Sequence, residues 1–487
     1  MSKIDKNATS AATGSGLDPT DWAEFRVLAH GLLDDLITHI ETIRQKPVWQ
    51  KPTAEVRARF SHPLPHAANG LSAVFDDVRR HVMPFATGNL HPLFMGWVHG
   101  AGTPVGMIAE LVGAGLNLNC GGRDHVGINV ERQIVLWMRE ALGYPAAASG
   151  LFVTGSSMAN FLALIIAKTE ALGLSSRETG LRDADHALVA YTSSEAHGCI
   201  AQAMQLSGLG SANLRTIAVD PLGRMRPDDL RAQIAKDIAR GFKPFLVVGT
   251  AGTVNTGAID PLEDLAAIAS EENLWFHVDG AIGALATFSP ELRGLFSGLE
   301  KSDSVALDFH KWGHVPYDAG FLLVRDGTAH KRAFAQSAAY LQRADRGLAA
   351  GDTWPCDLGP DLSRGCRALK TWMTIEALGT DRIGRSIEQT CSLARYLAGR
   401  LQSHPIFELK APVALNIVCF GIRGAGPETL RELILDLQES GTAAPSWTML
   451  NGELVARCAI VNHRTTSADL DGFVSALLER ISDLGFE

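Results

Sequence analysis

No two cysteines in this 487-residue chain are spaced as CxxC. The seven present (Cys120, Cys199, Cys356, Cys366, Cys391, Cys419, Cys458) are scattered and odd in number. That spacing excludes a disulfide framework and fits a reducing cytoplasm, where most of them serve as small core residues. Neither HExxH nor GxxxxGK[ST] occurs, which removes two common routes to metal or nucleotide chemistry. Long apolar runs are missing too, since none approaches the roughly 18–20 residues of a membrane span. Positive charge is in deficit, with 44 Lys and Arg against 53 Asp and Glu. Without a basic block, that balance argues against a nucleic-acid partner. Residues 1–21 are rich in Ser, Ala, Gly and Thr and lack an apolar signal core, so they read as a disordered tail. What is present is the composition of a soluble globular protein, 46% apolar and 20% charged, long enough for two or three structural units.

Two short stretches organise the rest. Phe276-His277-Val278-Asp279-Gly280-Ala281 and Asp308-Phe309-His310-Lys311-Trp312 each continue an apolar, β-prone run into a polar turn. Charged residues just past the C-terminal ends of buried strands are where open α/β sheets place ligand chemistry. An acid and a lysine so placed suit pyridoxal 5'-phosphate (PLP). The lysine amine takes up the aldehyde, and Asp279 keeps the pyridine nitrogen protonated so that the ring accepts electrons. Two further pieces precede them. His197, in Ser193-Ser194-Glu195-Ala196-His197, follows an expected strand and is placed to stack on the ring. Thr154-Gly155-Ser156-Ser157 opens an expected helix over 158–171 and offers amides and hydroxyls to a phosphate.

From about Trp22 to the C-terminus the chain resembles the group II PLP-dependent amino-acid decarboxylases, among them the aromatic-amino-acid, histidine and glutamate enzymes. His-Val-Asp-x-Ala at 277–281, His310-Lys311-Trp312 and Ala196-His197 carry the resemblance. It implies an α/β protein of PLP fold type I, aspartate-aminotransferase-like, with a mostly parallel sheet covered by helices. It implies catalytic roles for Lys311, Asp279 and His197. Gly155, Ser156, Ser157 and His310 would lie near the phosphate, and Ala281 would border the ring. Thr253, with Asn255 and Thr256, is either a further cofactor contact or an ordinary polar turn. The His-Pro-x-Phe stretch at 91–94 implies a substrate wall from Phe94, Trp97 and His99, although Phe94 and Trp97 also read as plain core residues. Members specific for aromatic substrates carry Pro-Thr where His99-Gly100 stand, a departure that weighs against such a substrate.

Organisation follows from periodicity. Apolar residues at three- and four-residue steps (Phe25, Leu28, Leu32, Leu36, Ile40) predict a helix over 22–44, and a second is expected over 71–82. This 22–90 segment cannot bury its own stripe, and the resemblance makes it a dimerisation segment of a homodimer. A large PLP-binding domain is expected over 91–361, with strands and helices alternating, and a small α/β domain over 362–487. The 333–363 stretch has no clear period and reads as an active-site loop. The resemblance implies that it closes over the active site of the neighbouring subunit, so that the homodimer has its active sites at the interface. The resemblance puts a proton-donating tyrosine on it near Trp354-Pro355. None stands there, and Tyr340 is the loop's one tyrosine. On a C-terminal strand, Arg457 is a candidate, by location alone, to hold a substrate carboxylate.

The expected reaction is loss of CO2 from an L-amino acid through an external aldimine and a quinonoid, giving the amine. Oxidative decarboxylation-deamination to an aldehyde, PLP-dependent carbon–carbon lysis and a non-catalytic PLP-fold binding protein are the alternatives.

Overall fold

The computed structural model describes residues 16–182, 184–336, 343–351 and 353–485. It divides into two compact units. One runs up to Gln45 and resumes over Lys51–Ala86; the other comprises Lys46–Gln50 and everything from Thr87 on.

In the first unit the expected helix forms over Trp22–Glu41, where the Asp21 carboxylate accepts the Ala23 and Glu24 amides. That satisfies donors which a helix start otherwise leaves unpaired. None of this helix's residues is buried within the chain, and its stripe of Phe25, Leu28, Leu32, Leu36 and Ile40 stays half-exposed. A short helix over Ala54–Arg59 was not foreseen. The second expected helix is regular over Leu71–Asp77 and widens into a π turn over Val78–Val82. An Arg79–Asp35 ion pair ties it to the first.

The second unit contains a seven-stranded sheet of β1 (Ser149–Val153), β2 (Leu188–Ser193), β3 (Leu214–Ile217), β4 (Lys243–Thr250), β5 (Trp275–Asp279), β6 (Ser304–Asp308) and β7 (Gly320–Val324), in the order β1-β7-β6-β5-β4-β2-β3. β3, β2, β4, β5 and β6 are mutually parallel, and β7 runs antiparallel between β6 and β1. Successive side chains of a strand point to opposite faces. Leu151 and Val153 therefore pack with Leu162 and Ile166 of the helix Ser156–Leu172. Phe152 between them packs with Ile134 and Met138 of the helix Val126–Leu142. Both faces are covered, so the central strands are continuous apolar runs, as a parallel sheet requires.

The remaining strands form an antiparallel sheet of β8 (Phe407–Leu409), β9 (Ile417–Ile422), β10 (Ser446–Leu450) and β11 (Glu453–Ala459), in the order β10-β11-β9-β8. The helices Thr380–Gln402, Pro427–Glu439 and Ser467–Asp483 close a second core over it. β10 escaped the sequence reading because its alternate residues Trp447 and Met449 are exposed, which leaves no buried run to detect. The fold is the expected mixed α/β arrangement with a mostly parallel central sheet.

Candidate active site

Parallel strands deliver their C-terminal ends to one edge of a sheet. β4 ends in Thr250, β5 in Asp279 and β6 in Asp308, with Thr250 opposite Asp279 and Asp279 opposite Ala306 in register. β1 ends beside them at Val153, and the chain turns through Thr154-Gly155 into the helix Ser156–Leu172. The turn is held close to β7: a Cβ on Gly320 would lie 2.3 Å from the Gly155 Cα, so only glycine fits there. The resulting pocket holds about 350 Å3 and is lined, among others, by Gly155, Ser156, Ser157, His197, Thr250, Asp279, Ala281, Asp308, His310, Lys311 and Tyr317.

The two carboxylates have separate partners. Asp279 accepts the Ala281 amide at 3.1 Å and the Asn160 side-chain amide at 3.1 Å. Burial pushes it above the usual carboxylate range, against the pull of Lys311, the Ala281 amide and His197. Asp308 accepts both the amide and the hydroxyl of Ser156 at 2.7 Å and lies 2.9 Å from Lys311 Nζ. Burial also works against its charge, yet Lys311, His310 and Ser156 outweigh it and hold Asp308 below the usual range. Burial drives the Lys311 ammonium down, but Asp308 and then Asp279 reverse this and hold it above its ordinary value. Burial lowers His310 and His99, with Lys311 acting in the same direction on both.

The substrate side is aromatic. Phe94 stacks on His99 at 5.5 Å between ring centroids, and Trp97 stacks on His99 at 6.3 Å. Trp97 and His99 line the pocket with Tyr317, whereas Phe94 is buried behind them. Gly100 is fixed by its surroundings, because a Cβ there would lie 2.2 Å from the His310 carbonyl oxygen. That close approach accounts for a glycine following His99.

Most of the expected cofactor set thus converges on one pocket. Thr253 does not face it: its hydroxyl bonds the Thr256 hydroxyl and the Ala258 amide inside a turn. The ordinary-turn reading describes it, and the neighbouring Thr250 lines the pocket instead. The Thr250 hydroxyl is buried and has no partner among the described residues. Arg457 is also committed elsewhere, donating to the carbonyls of Val254 and Gly96. Sequence reading missed Asn160, Thr250, Asp308 and Tyr317. Asp308 lay inside the quoted motif, and its place three residues before Lys311 was a usable signal. Asn160 and Thr250 had none, since a mid-helix asparagine and a strand threonine are unremarkable by themselves.

At the loop, Trp354 is buried. Its ring lies between the guanidinium groups of Arg123 and Arg343, at 4.8 and 5.0 Å, and its amide donates to Asp357 at 2.7 Å. Asp357 also pairs with Arg343. Tyr340 lies outside the described residues.

PLP fits this pocket. It contains a partly buried lysine paired with a buried carboxylate, a second buried carboxylate, a helix N-terminus able to take a phosphate, and a hydroxyl without a partner among the described residues. Residues 53–423 match the family described as "Pyridoxal-dependent decarboxylase conserved domain". The aromatic-L-amino-acid decarboxylase of Bacillus atrophaeus is 29% identical over 94% of this chain and 96% of its own. The L-2,4-diaminobutyrate decarboxylase of Rhizobium meliloti (strain 1021) is 30% identical over 87% of this chain and 84% of its own. The crystal structure of Rhodiola rosea 4-hydroxyphenylacetaldehyde synthase superposes with a TM-score of 0.85 at 25% identity, covering 96% of this chain and 99% of that one. The fold and site define a PLP-dependent enzyme of fold type I. The chain belongs to the pyridoxal-dependent decarboxylase family.

Proposed function

We propose that the protein removes the carboxylate of an L-amino acid with a flat, uncharged side chain and releases the amine. The observation that carries this is the meeting of Lys311, Asp279 and the Ser156–Leu172 helix N-terminus in one pocket walled by Trp97, His99 and Tyr317. Bound PLP supplies the electron sink that lets the Cα–carboxylate bond break. The chain's own residues do the rest. Lys311 is the amine that holds the cofactor and yields to the substrate amine. Asp279 accepts the proton-bearing ring nitrogen. His197, exposed at the pocket mouth, covers the ring face. Ser157 and the helix N-terminus receive the phosphate beside His310, and Thr250 offers its free hydroxyl.

Besides Lys311, the described lining residues include no lysine or arginine, and both carboxylates are already engaged. An acidic or basic substrate side chain would therefore meet no counter-charge there, whereas a planar one meets three rings. Tyr317, about half exposed, is protonated near neutral pH as an ordinary phenol is, and its partial burial moves it further in that direction. Among the described residues it is the phenol that lines the pocket, and in this reading it serves as the proton donor to Cα.

The enzyme acts as a homodimer in this reading. The helix Pro104–Leu116 exposes Leu111, Val112 and Leu116, and Val126 is exposed after it. Apolar surface of this kind is characteristic of subunit contacts. Product analysis of the purified protein with each of the twenty amino acids, with and without oxygen, tests the proposal. Amine and CO2 in equal amounts from an aromatic amino acid or histidine is the expected result. In this reading the three rings outweigh the His99-Gly100 departure, whose glycine the packing on His310 accounts for. Aldehyde and peroxide would move the protein to the oxidative branch, and turnover of acidic or basic substrates alone would overturn the side-chain assignment.

A further inference from the structure

A line of buried hydrogen bonds runs from Trp275 to Asp279 across β5, β6 and the helix Ser156–Leu172. Trp275 Nε1 lies 2.8 Å from the Ser304 hydroxyl, and that hydroxyl lies 2.8 Å from His277 Nδ1. His277 Nε2 lies 2.7 Å from Asn160 Oδ1, and Asn160 Nδ2 lies 3.1 Å from Asp279 Oδ2. The two ends fix the direction of every link. An indole nitrogen can only donate, and an ionised carboxylate can only accept. Ser304 accepts from Trp275 and gives its own proton to His277 Nδ1. The imidazole carries its proton on Nε2 and donates it to the Asn160 carbonyl. The amide is thereby turned with its NH2 toward Asp279, and the same NH2 also reaches Cys199 Sγ at 3.3 Å. Reversing the run from Ser304 through His277 to Asn160 would turn the Asn160 carbonyl toward Asp279 and set two acceptors face to face at the carboxylate.

The imidazole is suited to this task. Burial holds His277 neutral, down to about 3, so it has one proton and one possible donation. The carboxylate needs such support, because its own burial favours the protonated acid. Other groups facing Asp279 pull in both directions. Lys311 and His197 favour its charge, Asp308 opposes it, and Cys199 stands against it as a thiol that burial pushes up to about 12.

We infer that His277 and Asn160 are positioning residues that hold Asp279 as an ionised acceptor, oriented for the cofactor's ring nitrogen. The inference rests on the assignment of Asp279 as the partner of that nitrogen. Without the His277 proton, the Asn160 carbonyl has no donor and its amide is free to turn over. The turned amide presents oxygen to Asp279, and the favoured answer is a protonated carboxyl group. A protonated Asp279 offers the ring nitrogen no charge.

The test compares His277→Phe with His277→Gln in the holoenzyme. The glutamine amide can place a donor where Nε2 stood; phenylalanine cannot. For His277→Phe, the acid limb of the kcat–pH profile should move up by about one unit. In apoprotein titrated with PLP, cofactor affinity should fall in the same pH range. His277→Gln should return both toward the unmutated protein. An unmoved limb in His277→Phe, or equal damage from both variants, would overturn the inference, since packing alone would then explain the effect. If His277→Phe does not fold, Trp275→Phe removes only the terminal donor. A smaller shift in the same direction supports the relay, and no shift overturns it. Borohydride mapping of the unmutated protein separates the two levels: no pyridoxyl group on Lys311 would defeat the site assignment itself.

Discussion

Lys311 is bonded to Asp308, three residues before it, at 2.9 Å, while Asp279 takes its bonds from Asn160 and Ala281. The acid that pairs with the lysine is thus distinct from the one proposed for the ring nitrogen. Asp308 is itself immobilised by two bonds from Ser156 at the start of a helix. Its charge offsets the cost of burying an ammonium, which an unpaired site would avoid by losing the proton. Asp308→Asn is therefore expected to lower the proton affinity of Lys311. Amine-directed labelling of Lys311 in the apoprotein, followed against pH, should show its midpoint at least one unit lower. An unchanged midpoint would contradict this pairing.

Asp279→Asn keeps the size of the side chain and removes its charge. The ring nitrogen's proton matters most as charge develops in the transition state, so the loss should fall on kcat. A decrease on the order of a hundredfold or more is expected, the scale of one preorganised electrostatic group. Lys311 should still carry PLP, as visible absorbance reports. Near-normal turnover would remove Asp279 from the assigned role.

Tyr317→Phe removes the phenol from the pocket and leaves its ring. If Tyr317 delivers the Cα proton, amine output should fall at least tenfold, within the usual range for a lost general acid. The share of aldehyde and peroxide should rise. Amine formation at the unmutated rate would pass the role to His197 or to Tyr340.

Trp354 anchors the segment that leads out of the loop. Trp354→Ala should cost about 3–5 kcal/mol, the range for deleting a large buried aromatic side chain, and should lower Tm. The same change should speed proteolysis within residues 343–351, and loss of closure should reduce turnover. Turnover and cleavage rates like those of the unmutated protein would deny the loop its anchor.

Stability should fall in mild acid. Burial holds His277 at about 3 and His330 and His463 at about 4, with His314 well below the ordinary imidazole value. In the unfolded chain these groups take up protons near pH 6.5. The unfolded state therefore binds more protons between about pH 6.5 and 4, and stability rises with pH across that window. Their contribution is complete above about 6.5 and is lost as the pH drops toward the folded values. Thermal unfolding followed from pH 7 to 4 should show Tm declining throughout, less steeply in His330→Gln.

Local chemistry written into the sequence made most of the strands, most of the helices and the candidate roles of Lys311, Asp279 and His197 legible. A buried parallel strand must be an apolar run, and a charge at its end stands out against it. His310-Lys311 after the run Ser304–Leu307 and Asp279 closing Phe276–Val278 were legible for that reason. β10 was hidden because it is covered on one face only. Tertiary structure alone decided which polar residues meet. Asn160 and Asp279 are 119 positions apart, and Ser156 and Asp308 are 152 apart. They touch because parallel strands end at one edge and a helix starts above it. The same constraint turned Thr253 inward and Thr250 toward the pocket, since a residue at a strand end faces the edge and one beyond it satisfies the turn. It also placed Trp354 between two arginines. No periodicity encodes such a contact, because its partners are brought together by packing and not by spacing along the chain.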